Sequence, residues 1–132
     1  MTADTSILKK ILLVEEAQAT REELKNLLKD GSYKVWASCD EEEAVDFARH
    51  LEPDMILVSL TGTPTRILHT ARRIRLKAGL NCRVPIVIYS SEIVAEGEEW
   101  EIDGNIHLVA PDNHVQLRLL IRRIVLATSL RR

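Results

Sequence analysis

The hydrophobic positions of this chain change period repeatedly from one end to the other. Ile11–Val14 reads ILLV, a short run without polar interruption, as a parallel strand covered on both faces should be. Beyond it Ala17, Thr20, Leu24, Leu27 and Leu28 recur at helical spacing, and Asp30-Gly31 closes the helix. Tyr33–Ser38 alternates, like a strand nearer a sheet edge. Asp40, with Glu43 three residues on, has the form of a capping box for a helix lined by Ala44, Ala48 and Leu51. A second apolar run, Asp54–Leu60, precedes a helix marked by Ile67, Ala71, Ile74 and Ala78 that stops at Gly79. Val84–Ser90 reads as a third buried strand, and residues 91–102, SEIVAEGEEWEI, as a weak helix interrupted by glycine. Asn105–Ala110 is the fifth strand, and Pro111-Asp112 leads into a final helix to about Leu130.

Strands alternating with helices of this length predict an α/β fold, (βα)5, with a doubly wound parallel sheet, because right-handed crossovers lay helices on both faces. For five units the expected strand order is 2-1-3-4-5. All strand carboxyl ends then share one edge, and functional groups are sought just after Val14, Val58, Tyr89 and Val109.

Length and composition narrow the classes. The 132 residues suit a single domain, here 1–132 with a core of about 11–130, leaving no room for an output domain. With 45% hydrophobic and 29% charged residues the balance is that of a globular protein, and a net charge of −2 argues against a general nucleic-acid binder. There is no apolar run long enough to span a bilayer and no apolar leader in MTADTSILKK, so a cytoplasmic location is expected. Cys39 and Cys82 lack metal-site spacing and are expected as two buried thiols of a reducing compartment.

At the predicted functional edge stand Glu15 and Glu16 after the first strand, Ser59 after the third, Ser90 and Ser91 after the fourth, and Ala110-Pro111 after the fifth. ILLVEEAQATREELKNLL, PDMILVSL, PIVIYSS and IHLVAP together resemble the successive signatures of the response-regulator receiver domain of two-component signalling. The resemblance covers about Ile11 to Leu130 and implies the flavodoxin-like receiver fold. It implies further that Glu15 and Glu16 match the acidic pair that holds Mg²⁺. The phosphoacceptor aspartate falls on Ser59, the hydroxyl residue that contacts the phosphoryl group on Ser90, the aromatic switch residue on His107 and the lysine on Ala110. The loop proline expected four residues after the acceptor is replaced by Thr63, with Pro64 one later.

These departures have chemical consequences. Phosphotransfer from a phosphohistidine needs an anionic nucleophile and a cation to offset charge on the phosphoryl oxygens. An unassisted Ser59 hydroxyl is not ionised near neutral pH, and Ala110 carries no charge. Two glutamates without a third carboxylate hold Mg²⁺ only weakly. The expectation is a degenerate pseudo-receiver, not an enzyme, without a cofactor beyond a weak Mg²⁺ site at Glu15 and Glu16.

Each site residue has a plainer reading. Glu15 and Glu16 read better as solvated acids beside a helix N-terminus than as a cation site. Ser90 and His107 form either a coupled switch, open to pH through the imidazole, or a hydroxyl and a half-buried filler on an edge strand. Ser59 sits in a crevice where a serine kinase reaches poorly.

The final helix carries a second signal. At about 100° per residue, Leu117, Leu120, Ile121, Ile124 and Val125 gather on one side. Val115, Leu119, Leu126 and Leu130 gather nearly opposite, edged by Arg118, Arg122 and Arg123. A second apolar stripe rimmed by arginine predicts a surface for a protein partner of a bacterial signalling system or for a second copy of the chain. Four arginines in RRIVLATSLRR, without lysine clusters or interleaved aromatics, make a poor nucleic-acid footprint.

The expected function is therefore a phosphorylation-independent receiver-like module acting through protein–protein interaction. Two alternatives stand beside it: a genuine phosphorelay receiver with an atypical site, and a cofactor-binding flavodoxin-like protein. Against the latter, the loop EEAQAT is acidic and free of glycine, which repels a phosphate.

Overall fold

The computed structural model describes residues 8–90, 94–95, 97–111 and 113–130. Ser91, Asp112 and the terminal Arg131 and Arg132 lie outside the described residues, as does the N-terminal segment 1–7. The elements run β1 (Lys10–Glu15), α1 (Gln18–Asp30), β2 (Lys34–Ser38), α2 (Glu41–Leu51), β3 (Met55–Ser59), α3 (Pro64–Ala78), β4 (Ile86–Tyr89), β5 (Glu99–Ile102), β6 (Ile106–Val109) and α4 (His114–Leu130).

Five parallel strands take the expected order, with β6 as the fifth of them, and β2 forms one edge. The fully apolar strands sort their side chains by parity. Leu12, Val14, Ile56, Val58, Ile86 and Ile88 join Ala44, Val45, Ile67 and Ile74 of α2 and α3 in one core layer. Ile11, Leu13, Met55, Leu57 and Val87 join Leu24 and Leu28 of α1 and Leu117, Ile121, Ile124 and Val125 of α4 in the other. Burial on both faces is why these strands read as unbroken apolar runs.

The helix boundaries follow local chemistry. Asp40 accepts from the Glu43 amide at 2.9 Å, while the Glu43 carboxylate accepts from the Cys39 amide, one residue before the usual capping-box donor. Thr63 accepts from the Arg66 amide and Pro64 occupies the first turn of α3, so the displaced proline of the sequence is a helix start. Gly79 closes α3 in the left-handed region at φ 71°. At the end of α1 the left-handed residue is Ser32, not Gly31.

The weak helix expected over 91–102 is corrected. Residues 91–93 and 96 lie outside the described ones, and Glu99–Ile102 is β5, which pairs antiparallel with β6 and makes a six-strand sheet of order β2-β1-β3-β4-β6-β5. The reason lies in Asp103-Gly104-Asn105. Gly104 at φ 85° and Asn105 at φ 60° turn the chain back in a short hairpin, and Glu99/Glu101 alternate with Trp100/Ile102 as strand residues do. Arg75, 9% exposed, reaches from α3 to hold this turn. Its guanidinium donates to the carbonyls of Gly104, Val84 and Asn105.

Both cysteines are exposed, which corrects the expectation of buried thiols: Cys39 lies in the β2–α2 connection and Cys82 in the α3–β4 connection. No helix among the described residues is long and apolar enough to cross a membrane.

Candidate functional site

The parallel register brings β1 and β3 to the carboxyl edge together, with Glu15 directly opposite Ser59. Glu15 is buried, at 6% exposure, so the picture of two solvated acids is corrected for this residue. A strand-end carboxylate can be buried only if its oxygens are satisfied, and both are. The Ser59 hydroxyl donates to one at 3.1 Å and the Ala17 amide to the other at 3.3 Å.

Glu16, the next residue, is exposed and turns toward the loop after β3. Its carboxylate accepts from both the hydroxyl and the amide of Thr61. The hydroxyl, then the amide, hold the Glu16 carboxyl below the ordinary glutamate range against a small opposing effect of burial. Arg21, one turn into α1, donates to the carbonyls of Glu15 and Glu16 and fixes the β1–α1 connection from the other side. Two acids, two hydroxyls and one guanidinium thus tie β1, α1 and the β3–α3 loop together.

Glu15 and Glu16 offer two carboxylates here, Ser59 adds a hydroxyl rather than a third acid, and each carboxylate accepts hydrogen bonds from the chain. Among the described residues no group of three or more His, Cys, Asp or Glu is placed to hold a metal ion. In the β1–α1 connection the Ala17 amide is turned onto the Glu15 carboxylate.

The remaining edge positions diverge. Ser90 follows β4 and donates its amide to the Val109 carbonyl at 3.0 Å. Ala110 is buried in the α2–α3 core layer, where it packs with Val94; its amide donates to the Glu98 carbonyl and its carbonyl accepts from the Gly97 amide. A lysine side chain at 110 would start from inside the core. His107 is half-buried and faces Val87 on β4 and Glu101 on β5, with Nε2 2.8 Å from the Asn105 side-chain oxygen. Its strand is not an edge strand, since β5 covers it. The register sets His107 and Ser90 three positions apart along the strands.

Away from this edge, α4 divides as the helical wheel requires. Leu117, Ile121, Ile124 and Val125 are buried and Leu120 half-buried, whereas Val115, Leu119 and Leu126 are 65%, 62% and 52% exposed. Leu130 closes the helix, its side chain outside the described ones. Arg123 pairs with Glu99 of β5. Val115, Arg118, Leu119 and Arg122 line a groove of about 190 Å³ with Gly31 and Tyr33. Sequence reasoning did not find Tyr33 as part of this surface, because nothing local links the α1–β2 turn to a helix eighty residues on.

No protein-family model matches the chain, and no curated protein does. Solved structures match over most of its length. A CheY-like response-regulator receiver domain from Methylobacillus flagellatus superposes with a TM-score of 0.68 at 15% identity, covering 89% of this chain and 98% of that one. The receiver-modulated diguanylate cyclase of Pelobacter carbinolicus gives 0.66 at 24% identity, with 92% and 96% covered. The receiver domain of a Pseudomonas aeruginosa sensor histidine kinase, solved with a magnesium ion in its active-site cleft, gives 0.65 at 23% identity, with 89% and 98% covered. The chain therefore has the fold of a response-regulator receiver domain, extended at one edge by the β5–β6 hairpin.

Proposed function

We propose that this chain is a receiver-like signalling module whose state is not set by an aspartyl phosphate and which acts by binding another protein chain through α4. One observation carries the first half. The Ser59 hydroxyl, at the position that the resemblance gives to the phosphoacceptor, is a donor to the buried Glu15 carboxylate. An attacking oxygen needs a base to take its proton and a cation to offset the phosphoryl charge. Glu15 Oε1 already accepts the Ser59 hydroxyl, but Ala110, buried and uncharged, supplies no cation to offset the phosphoryl charge. The hydrogen bonds of Ser59 to Glu15 and of Thr61 to Glu16 tie the end of β1 to β3 and to the loop after it.

The second half rests on the exposed Val115, Leu119 and Leu126 beside Arg118 and Arg122, since contiguous apolar surface rimmed by arginine is a mark of interfaces. The partner is a protein of a bacterial signalling system or a second copy of the chain.

The test uses a small phosphodonor, acetyl phosphate with Mg²⁺, and intact-mass spectrometry. The proposal predicts no acid-stable or labile +80 Da adduct, set beside a phosphorylatable receiver as positive control. An adduct that disappears in Ser59→Ala overturns it.

A further inference from the structure

The exposed stripe of α4 has more order than an apolar patch requires. Val115, Leu119, Arg122 and Leu126 succeed one another at intervals of four, three and four residues, the spacing of a coiled-coil seam. Three of the four are large apolar side chains with more than half their surface in solvent, and the fourth is a cation in the seam itself. A seam of this period is matched by another helix lying nearly parallel to it, whose side chains enter the spaces between these.

Charge decides which helix. From His114 to Leu130, α4 carries three arginines and no aspartate, glutamate or lysine. Arg123 is engaged by Glu99, but Arg118 and Arg122 are exposed and form no ion pair among the described residues. Both guanidiniums border Tyr33, close enough that their charge opposes the rise in its pKa that burial causes. The groove between α4 and the α1–β2 turn is thus lined by the apolar Val115 and Leu119, by Tyr33 and by the two cations Arg118 and Arg122. A second α4 laid along this seam brings the two free arginines of each copy, four in all, to one interface without an acid on either helix. Like charges so placed oppose association, whereas carboxylates on the incoming helix offset both free arginines.

Resting on the reading of α4 as the docking surface, we infer that its occupant is an acidic amphipathic helix of a different protein, with apolar residues at four-three-four spacing and a carboxylate set against Arg122. The helix lies along Val115, Leu119 and Leu126, on the Tyr33 side. Its carboxylates meet Arg118 and Arg122, so binding weakens as salt rises. The pairing is a difference between partners: a basic helix of the same apolar spacing meets two uncompensated cations and is rejected.

The probe is a designed, side-chain-bridged helical peptide of about 18 residues, with leucines at this spacing flanked by glutamates, and a twin in which every glutamate is lysine. Fluorescence anisotropy with the full chain is measured alongside sedimentation velocity of the same preparation. The expected result is a monomer that binds the acidic peptide and not the basic one. Arg118→Glu/Arg122→Glu should weaken the acidic peptide by about tenfold or more and gain affinity for the basic one. Leu119→Asp should abolish binding with an unchanged circular-dichroism spectrum. If the basic peptide binds the wild type equally well and Leu119→Asp abolishes both, the acidic partner is overturned while α4 remains the docking surface. A wild-type dimer that Leu119→Asp dissociates has the same meaning, with a second copy as occupant. No binding of either peptide at millimolar concentration by a monomer overturns this inference, and α4 as a docking surface falls with it if Leu119→Asp also leaves function in the cell intact.

Discussion

Ser59 and Glu15 face each other across β3 and β1, and the serine hydroxyl donates to the glutamate carboxylate at 3.1 Å. The contact places a donor and an acceptor where a pair of carboxylates would repel unless a cation lay between them. Ser59→Ala leaves Glu15, buried at 6% exposure, with only the Ala17 amide, and should cost about 1–2 kcal/mol in urea unfolding. Ser59→Asp should cost more at pH 7, because two carboxylates then share one crevice. That cost should shrink as pH falls and the pair takes up a proton. Equal losses for Ser59→Asp at pH 5 and pH 7 would contradict this account.

Glu16 gives the loop after β3 a pH dependence of the opposite sign. The Thr61 hydroxyl and amide lower its pKa, so the folded form holds this proton less tightly than the unfolded chain. The stabilisation is complete above the ordinary glutamate value of 4.5 and is lost as pH falls through the lowered value. The exchange protection of the Thr61 amide, taken relative to its intrinsic rate at each pH, should therefore fall below about pH 4.5 in the wild type. In Glu16→Gln that protection should already be low at neutral pH and change little on acidification.

Arg75 and Gly104 jointly define the β5–β6 hairpin. A Cβ at residue 104 would meet the Arg75 Nη1 at 3.1 Å, and φ there is 85°, so Gly104→Ala combines a close contact with an unfavourable backbone. It should cost about 1–2 kcal/mol. Arg75→Met removes the donor from three carbonyls and should cost about 3 kcal/mol. Its exchange protection should fall first at β5 and β6. Loss spread evenly over the sheet would show that Arg75 supports the whole core rather than the hairpin.

Restoring the lysine that the resemblance calls for should not restore a site. Ala110 is 2% exposed in the core layer shared with Val94, and both its backbone groups are engaged by Gly97 and Glu98. Ala110→Lys must bury an unpaired ammonium or displace Val94, Gly97 and Glu98, and should cost about 3 kcal/mol or more. Chemical denaturation measures this directly.

Much of this was legible in the amino-acid order. Strands such as Ile11–Val14 and Met55–Ser59 are apolar at every core position because both faces are covered, and their carboxyl ends then had to converge. The two faces of α4 followed from its periodicity alone. The hairpin was misread because Glu98 and Glu99 beside Gly97 resemble a frayed helix, while the turn signal Asp103-Gly104-Asn105 lies just past the stretch. The burial of Glu15 was not legible either. It depends on a donor forty-four residues away that only the β1–β3 register brings opposite. Tyr33 joined the α4 groove for the same reason, through packing with no local mark.

The most direct measurement is an amide NMR titration of the full chain with Mg²⁺ and beryllofluoride, a mimic of the acyl phosphate. The account predicts no saturable shifts at Glu15, Glu16, Ser59, Thr61 or Ser90, and none in α4. Saturable, Mg²⁺-dependent shifts at the carboxyl edge that propagate to Val115 and Leu119 would contradict it, and would show a working phosphoryl site coupled to the docking face.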